Sequence, residues 1–264
     1  MPRAKRRLGQ HFLTDPGILA RIADALEARP DETILEIGPG PGGLTAALVS
    51  RAARVIAIEK DRDLIAPLHA RFPSVELVEA DALKVDWGSI AGGPYLVAGN
   101  IPYNITSPLL DKALTPPIPR RIVFLVQKEV ADRVTARAGT SAYGALSVGV
   151  QAVAKAERLF TVSAGAFRPR PKVDSAVLRL TPLDRPLIPM EQQDSFRAMV
   201  VGLFGFRRKQ LLRGLRELTG WPADQAGDRL ERAAVDPTAR PEMLSPEEFV
   251  TLHQSLVDGG WLRR

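Results

Sequence analysis

A short apolar run, Ile34-Leu35-Glu36-Ile37, empties into Gly38-Pro39-Gly40-Pro41-Gly42-Gly43 and then into a helical pattern starting at Leu44. A strand that turns through bare glycines into a helix is the opening unit of a doubly wound α/β sheet. The glycines let backbone approach a ligand closely and let the helix pack onto the strand. The alternation continues: β-rich runs at 33–37, 54–59, 75–78 and 95–98 are separated by helical patterns such as 44–51 and 62–71. The strands are almost continuously apolar, as required of a parallel sheet covered on both faces by its crossover helices. Further strands at 121–126, 154–161 and 173–181 bring the sheet to about seven, with helices at 107–114, 128–136 and 144–153. A helix over 18–26 precedes the first strand, with Asp15-Pro16 as cap and first turn.

Between residues 181 and 189 the alternation stops at three prolines, and the remainder reads as helix: 192–204, 207–218, 223–233 and 246–258. The expected fold is a Rossmann-like seven-stranded α/β domain over residues 1–184, followed by a small all-helical domain over 185–264 that positions the substrate.

Lys and Arg number 36 against 30 Asp and Glu, a net charge of +6, which favours a polyanionic partner. The chain has no cysteine, which excludes thiolate catalysis, disulfides and Cys-ligated metals. His11, His69 and His253 lack ligand spacing, so no metal site is expected. No stretch approaches the roughly 20 apolar residues of a spanning helix. The basic start, residues 2–7, is not followed by an apolar segment, so the expected location is the cytoplasm, with no membrane association.

No Lys-Ser/Thr follows the glycines, which rules out a nucleoside triphosphate cradle. Glu59 closes the next strand, roughly 20 residues beyond Gly38, where a carboxylate can accept both hydroxyls of a ribose. Asp81 follows the third strand and is placed to hold an adenine amine. Gly38, Gly40, Glu59 and Asp81 thus form an adenosine-binding edge, which does not by itself separate NAD from S-adenosylmethionine.

Asn100-Ile101-Pro102-Tyr103 separates them, because it follows the fourth strand at the same edge. An exocyclic amine is a poor nucleophile, since its lone pair is delocalised into the purine ring. Acceptors on its two hydrogens localise that pair. The Asn100 oxygen and a carbonyl of the proline turn, that of Ile101, can serve, while Tyr103 stacks on the base. A methyl donor already activated as a sulfonium needs positioning more than a general base. A target adenine has to be unstacked to reach this edge. Phe167, in the basic loop Phe167-Arg168-Pro169-Arg170-Pro171-Lys172, is a candidate second stacking ring beside phosphate contacts, with a plain core Phe as the alternative.

These motifs resemble the ribosomal RNA adenine dimethyltransferases that modify two adjacent adenines near the 3′ end of small-subunit rRNA. The resemblance spans nearly the whole chain: Gly9-Gln10-His11-Phe12-Leu13, residues 36–45, Glu59-Lys60-Asp61, 100–108, Gln127-Lys128-Glu129-Val130, 171–177 and Arg207-Arg208-Lys209-Gln210-Leu211. It implies that His11 and Leu13 contact S-adenosylmethionine from an N-terminal arm. It also implies that Gly38 meets the amino-acid end of the cofactor, Glu59 the ribose, Asp81 the adenine and Asn100 both the cofactor and the reacting amine, with Tyr103 and Phe167 sandwiching the target base. The chain departs from the family at His11, where many members carry Asn. The cluster Arg207, Arg208, Lys209, Arg213 and Arg216 is either an RNA contact or a solvated helix face. The implied partner is small-subunit rRNA in a pre-30S particle, met by a monomer. Alternatives are a large-subunit adenine methyltransferase of the erythromycin-resistance type, a ribosome-assembly or transcription factor that acts without catalysis, and a DNA adenine methyltransferase.

Overall fold

A computed structural model describes residue 5 and residues 9–261; of the basic stretch 2–7, all but Lys5 lie outside the described residues. In chain order the elements are β1 (Phe12–Leu13), α1 (Pro16–Asp24), β2 (Thr33–Ile37), α2 (Gly43–Leu48), β3 (Arg54–Glu59), α3 (Arg62–Arg71), β4 (Glu76–Glu79), α4 (Trp87–Ala91), β5 (Tyr95–Asn100), α5 (Thr106–Ala113), β6 (Arg121–Gln127), α6 (Lys128–Val134), α7 (Ala145–Gln151), β7 (Ala154–Val162), β8 (Phe167–Arg168), β9 (Ser175–Pro182), α8 (Gln193–Gly205), α9 (Leu211–Thr219), α10 (Ala223–Arg232) and α11 (Pro246–Asp258).

Seven strands form one sheet in the order β4-β3-β2-β5-β6-β9-β7. Strands β4, β3, β2, β5 and β6 run parallel, and β9 is antiparallel to β6. The order reverses between β2 and β5, so the C-terminal ends of β2, β3 and β5 open onto one crevice, where doubly wound sheets bind ligands. The expected near-continuous burial is present: Ile34, Leu35, Ile56, Ile58, Leu96 and Val97 are each at most 1% exposed. Burying each such side chain stabilises the sheet by about 1.5–3 kcal/mol.

Caps fix where the flanking helices begin. Asp15 accepts the Ile18 N–H ahead of Pro16 at the start of α1, and Asp61 accepts the Asp63 N–H at the start of α3. Outside the main sheet, β1 and β8 form a two-stranded antiparallel ladder that pairs Phe12 with Arg168 and Leu13 with Phe167. Nothing local in the sequence announces this ladder.

The chain divides into two compact units, one of residues 1–131 and 156–182, the other of 132–155 and 183–264. The second unit therefore takes in the segment 132–155 with α7, which the sequence boundary at 184 assigns to the sheet domain. Its helices α8 to α11 match the expected helical stretches, and Tyr143, Phe196, Leu203, Leu215, Phe249 and Leu252 are buried in it. A Ser245/Glu248 capping box starts α11.

Candidate active site

Strand β2 delivers its chain into the glycine turn at the crevice. Gly38 and Gly40 both have positive φ, +67° and +59°, a conformation that costs a side-chain-bearing residue strain. A Cβ on Gly40 would stand 3.1 Å from the Phe12 ring, whereas one on Gly38 would meet nothing within 4 Å. The turn is therefore packed on one side and open on the other.

The carboxylate of Glu59, at the end of β3, faces this turn. One oxygen accepts the Gly40 N–H at 3.1 Å and the other accepts the Asp61 N–H at 2.7 Å. The residue is 5% exposed. Burial pushes its carboxyl above the ordinary carboxylate range, and the N–H groups of Asp61 and Gly40 pull it partway back. Glu36, one strand over, is buried still more completely; burial, opposed by the Thr45 hydroxyl that donates to it at 2.7 Å, raises its carboxyl to about 8. Asp81 follows β4. Its oxygens accept from Lys60 Nζ at 2.9 Å and the Leu83 N–H at 3.0 Å, and the Lys60 ammonium holds it below the ordinary range.

At the end of β5 the side chain of Asn100 donates through Nδ2 to the carbonyl of His11 at 2.8 Å. This bond settles the amide orientation and leaves Oδ1 as an acceptor. The Pro102 carbonyl is already taken by the Ile105 N–H at 3.1 Å and approached by the Thr106 hydroxyl at 3.4 Å. Among the described residues the carbonyl of Ile101 has no such partner. Tyr103 is tethered by its hydroxyl to Ser175 Oγ at 2.8 Å, and burial raises its phenol. Its ring stacks on His11, centroids 5.6 Å apart and planes 25° from parallel.

One cleft is lined by His11, Leu13, Gly38, Gly40, Glu59, Asp81, Asn100, Pro102 and Tyr103, so the sequence-expected residues converge, with one exception. Phe167 is 0% exposed and sits in the core cluster with Leu13, Leu19 and Val177. The two-residue strand β8 turns Phe167 inward and Arg168 outward, as alternation along a strand demands. The assignment of Phe167 as a stacking ring is corrected accordingly: in this structure it is a core residue, and the ring against Tyr103 is that of His11.

The sequence reading missed the bracing of the arm. Gln10 donates to Asp61 Oδ2 at 3.2 Å, and Lys5 bridges Asp61 and Asp63. Burial of Asp61 is outweighed by the hydrogen bonds from Lys5 and Gln10, and its carboxyl stays below the ordinary range. The only sequence signal was the position of Asp61, one residue before a helix. Ser175 and Thr45 gave none. No group of three or more potential metal ligands gathers among the described residues.

The glycine turn, the carboxylates of Glu59 and Asp81 and the Asn100 amide with its oxygen free line one crevice. With the antiparallel insertion of β9, this edge makes the chain a Rossmann-like methyltransferase. The chain belongs, more narrowly, to the ribosomal RNA adenine dimethylase family, whose profile matches residues 1–258. It is 41% identical to "Ribosomal RNA small subunit methyltransferase A" of Geobacter metallireducens, covering 97% of this chain and 96% of that one. It is 42% identical to the protein of the same name from Myxococcus xanthus, over 96% and 91% of the two chains. Among solved structures, a dimethyladenosine transferase from Plasmodium falciparum superposes with a TM-score of 0.85 at 27% identity, over 95% of this chain and 98% of that one. The 23S rRNA methyltransferase ErmE does so with 0.74 at 31% identity, over 93% and 99%.

Proposed function

We propose that this chain transfers methyl groups from S-adenosylmethionine to the N6 amine of adenine in small-subunit rRNA, dimethylating two adjacent adenines near the 3′ end during ribosome assembly. The observation that carries this reading is the Asn100 amide, locked by the His11 carbonyl at the end of β5 beside the glycine turn.

The residues present fit the cofactor. Gly38 leaves open space for its amino-acid end, the buried Glu59 carboxylate suits a ribose diol, Asp81 suits an adenine amine, and Leu13, His11 and Gly40 complete the wall. When bound, S-adenosylmethionine supplies a methyl group on a sulfonium, so the protein need not provide a strong base. In the first transfer Asn100 Oδ1 and the Ile101 carbonyl accept the two N–H bonds of the adenine amine and turn its lone pair out of the ring. In the second, the monomethylated amine keeps one N–H for one of these acceptors, and each alkylated nitrogen releases one proton to water. Pro102 holds the turn that aims both acceptors, and Tyr103, anchored to Ser175, offers an aromatic face to the unstacked base. Arg168, Arg170 and Lys172 are exposed on the loop beside His11 and suit the phosphates flanking that base. Arg208, Arg213 and Arg216, exposed in the second unit, suit further RNA phosphates. The protein works as a cytoplasmic monomer on a pre-30S particle; no helix among the described residues is long and apolar enough to cross a membrane.

The similarity to ErmE supports a second reading, methylation of large-subunit rRNA. Isotope-labelled methyl donor, offered with unmethylated small or large ribosomal subunits, separates the two. Dimethyladenosine in small-subunit rRNA, identified by nucleoside mass spectrometry, is the expected product. Label confined to the large subunit selects the second reading, and label on no RNA adenine overturns both.

A further inference from the structure

The N-terminal arm lies between the two halves of the site. On one side Phe12 packs under Gly40, and Gln10 donates to Asp61. On the other, a Cβ on Gly9 would stand 3.0 Å from Asn104 Oδ1, and the His11 carbonyl receives Asn100 Nδ2. The third side is the segment before β9: Thr14 N–H donates to the Ala166 carbonyl at 3.1 Å, and β1 pairs with β8.

His11 is where these contacts meet. Its Nδ1 stands 2.8 Å from the Pro169 carbonyl, and because a carbonyl can only accept, the ring proton resides on Nδ1. The ring stacks on Tyr103, and its backbone carbonyl orients Asn100. One residue therefore touches the amide that would grip the amine, the ring that would stack on the base, and the basic loop.

We infer that His11 is a positioning residue for methyl transfer: its ring N–H anchors the arm to Pro169, and this anchorage sets the orientation of Asn100 and Tyr103. This goes beyond a cofactor contact and rests on the proposed amine-methylating reading. The anchor requires only a donor at the Nδ1 position. An Asn amide can place an N–H there. Alanine offers neither donor nor ring.

The test compares wild type, His11→Ala and His11→Asn for cofactor Kd by calorimetry, for kcat and RNA KM, and for thermal stability. His11→Ala is expected to lower kcat by about tenfold to 10²-fold, the cost of misplacing reacting groups by an ångström or less. Its cofactor Kd should weaken by much less than kcat falls, since the ring is only part of the cofactor wall whereas an orienting contact acts on the reacting groups. His11→Asn should recover most of the lost kcat. An independent reading uses the unliganded wild type, whose three histidines make imidazole ¹⁵N spectra simple to assign. The neutral His11 ring is expected as the Nδ1–H tautomer. The inference is overturned if Kd weakens in step with kcat, if Asn performs no better than Ala, if His11→Ala leaves kcat unchanged, or if the Nε2–H tautomer is found. A wild type that methylates no RNA adenine while showing the Nδ1–H tautomer would instead remove the functional reading and leave the anchor in place.

Discussion

Asn100 Nδ2 and the carbonyl oxygen of His11 lie 2.8 Å apart across 89 residues of sequence. The bond gives Asn100 one donor function and one acceptor function, and the two cannot be exchanged without losing it. Asn100→Asp nearly preserves shape and keeps an acceptor, yet sets a carboxylate oxygen against a carbonyl. It should therefore lower kcat by about 10²-fold or more, comparable to the loss of one preorganised hydrogen bond in other transfer enzymes. Cofactor binding should change much less. Single-turnover methyl transfer together with calorimetric Kd values checks this, and an Asp variant of near wild-type rate would remove Asn100 from the chemistry.

Glu59 uses both oxygens on backbone N–H groups, at 3.1 Å from Gly40 and 2.7 Å from Asp61. In Glu59→Gln the amide NH₂ must confront one of those donors. The glycine turn loosens and the acceptor geometry for a ribose is lost with it. Hydrogen bonds to a charged group contribute about 1.5–3 kcal/mol, so cofactor affinity should weaken by about tenfold to 10²-fold. Calorimetric titration reads the change. Unaltered affinity would show that the carboxylate serves only the turn.

Glu36 supplies a pH dependence. Its folded-state carboxyl, at about 8, lies above the ordinary value of 4.5, so the unfolded chain releases this proton at lower pH than the folded one does. Stability from this group is complete below about 4.5 and is lost as pH rises towards and through 8. Glu36→Gln keeps an oxygen for the Thr45 hydroxyl but does not titrate. Its melting temperature relative to wild type should therefore climb between pH 5 and pH 9, as followed by calorimetry. A pH-independent difference would mean that the buried carboxyl does not hold its proton.

The sheet was legible because its signal is local. Thr33–Ile37 and Arg54–Glu59 are apolar runs of strand length, and each ends in turn chemistry that places Gly38 or Glu59 at the crevice. The antiparallel β9 was legible as a strand but not in its direction, since direction is a property of the pairing with β6. Phe167 misled for the same reason. An aromatic beside prolines and arginines reads equally well as a stacking ring or as core. What decides is a two-residue ladder with Phe12 and Leu13, a pairing over more than 150 residues with no composition cue. The segment 132–155 shows a related limit: the apolar residues of α7, Val148 and Val150 among them, are visible in sequence, but their partners in the second unit are not.

The basic loop offers a quantitative check on the RNA contacts. Arg170 and Lys172 are exposed, and the loop is pinned by Pro169 to His11. Each phosphate contact contributes about one unit to the dependence of log affinity on log salt concentration. The double variant Arg170→Gln/Lys172→Gln should reduce that slope by about two and raise the KM for RNA, with cofactor Kd unchanged. Filter-binding titrations across a salt series measure it. An identical slope would place the phosphates elsewhere.

A second titration belongs to the helical unit, and its sign is opposite to that of Glu36. His253, on α11, is fully buried. Ser195 Oγ donates to the Gln192 carbonyl at 2.9 Å and stands 2.9 Å from His253 Nε2, so the imidazole proton sits on Nε2. Its Nδ1 faces the interior with no partner among the described residues. A second proton there would be a buried charge without an acceptor, and burial accordingly lowers the pKa below the ordinary imidazole value. The unfolded chain takes up this proton near pH 6.5, while the folded chain waits for stronger acid. The contribution is therefore complete above about pH 6.5 and declines as pH falls below it. Hydrogen exchange should show α8 and α11 losing protection between pH 7.5 and pH 5, after correction for intrinsic rates. His253→Gln should flatten that decline. Equal loss in wild type and variant would mean that some other group senses the acid.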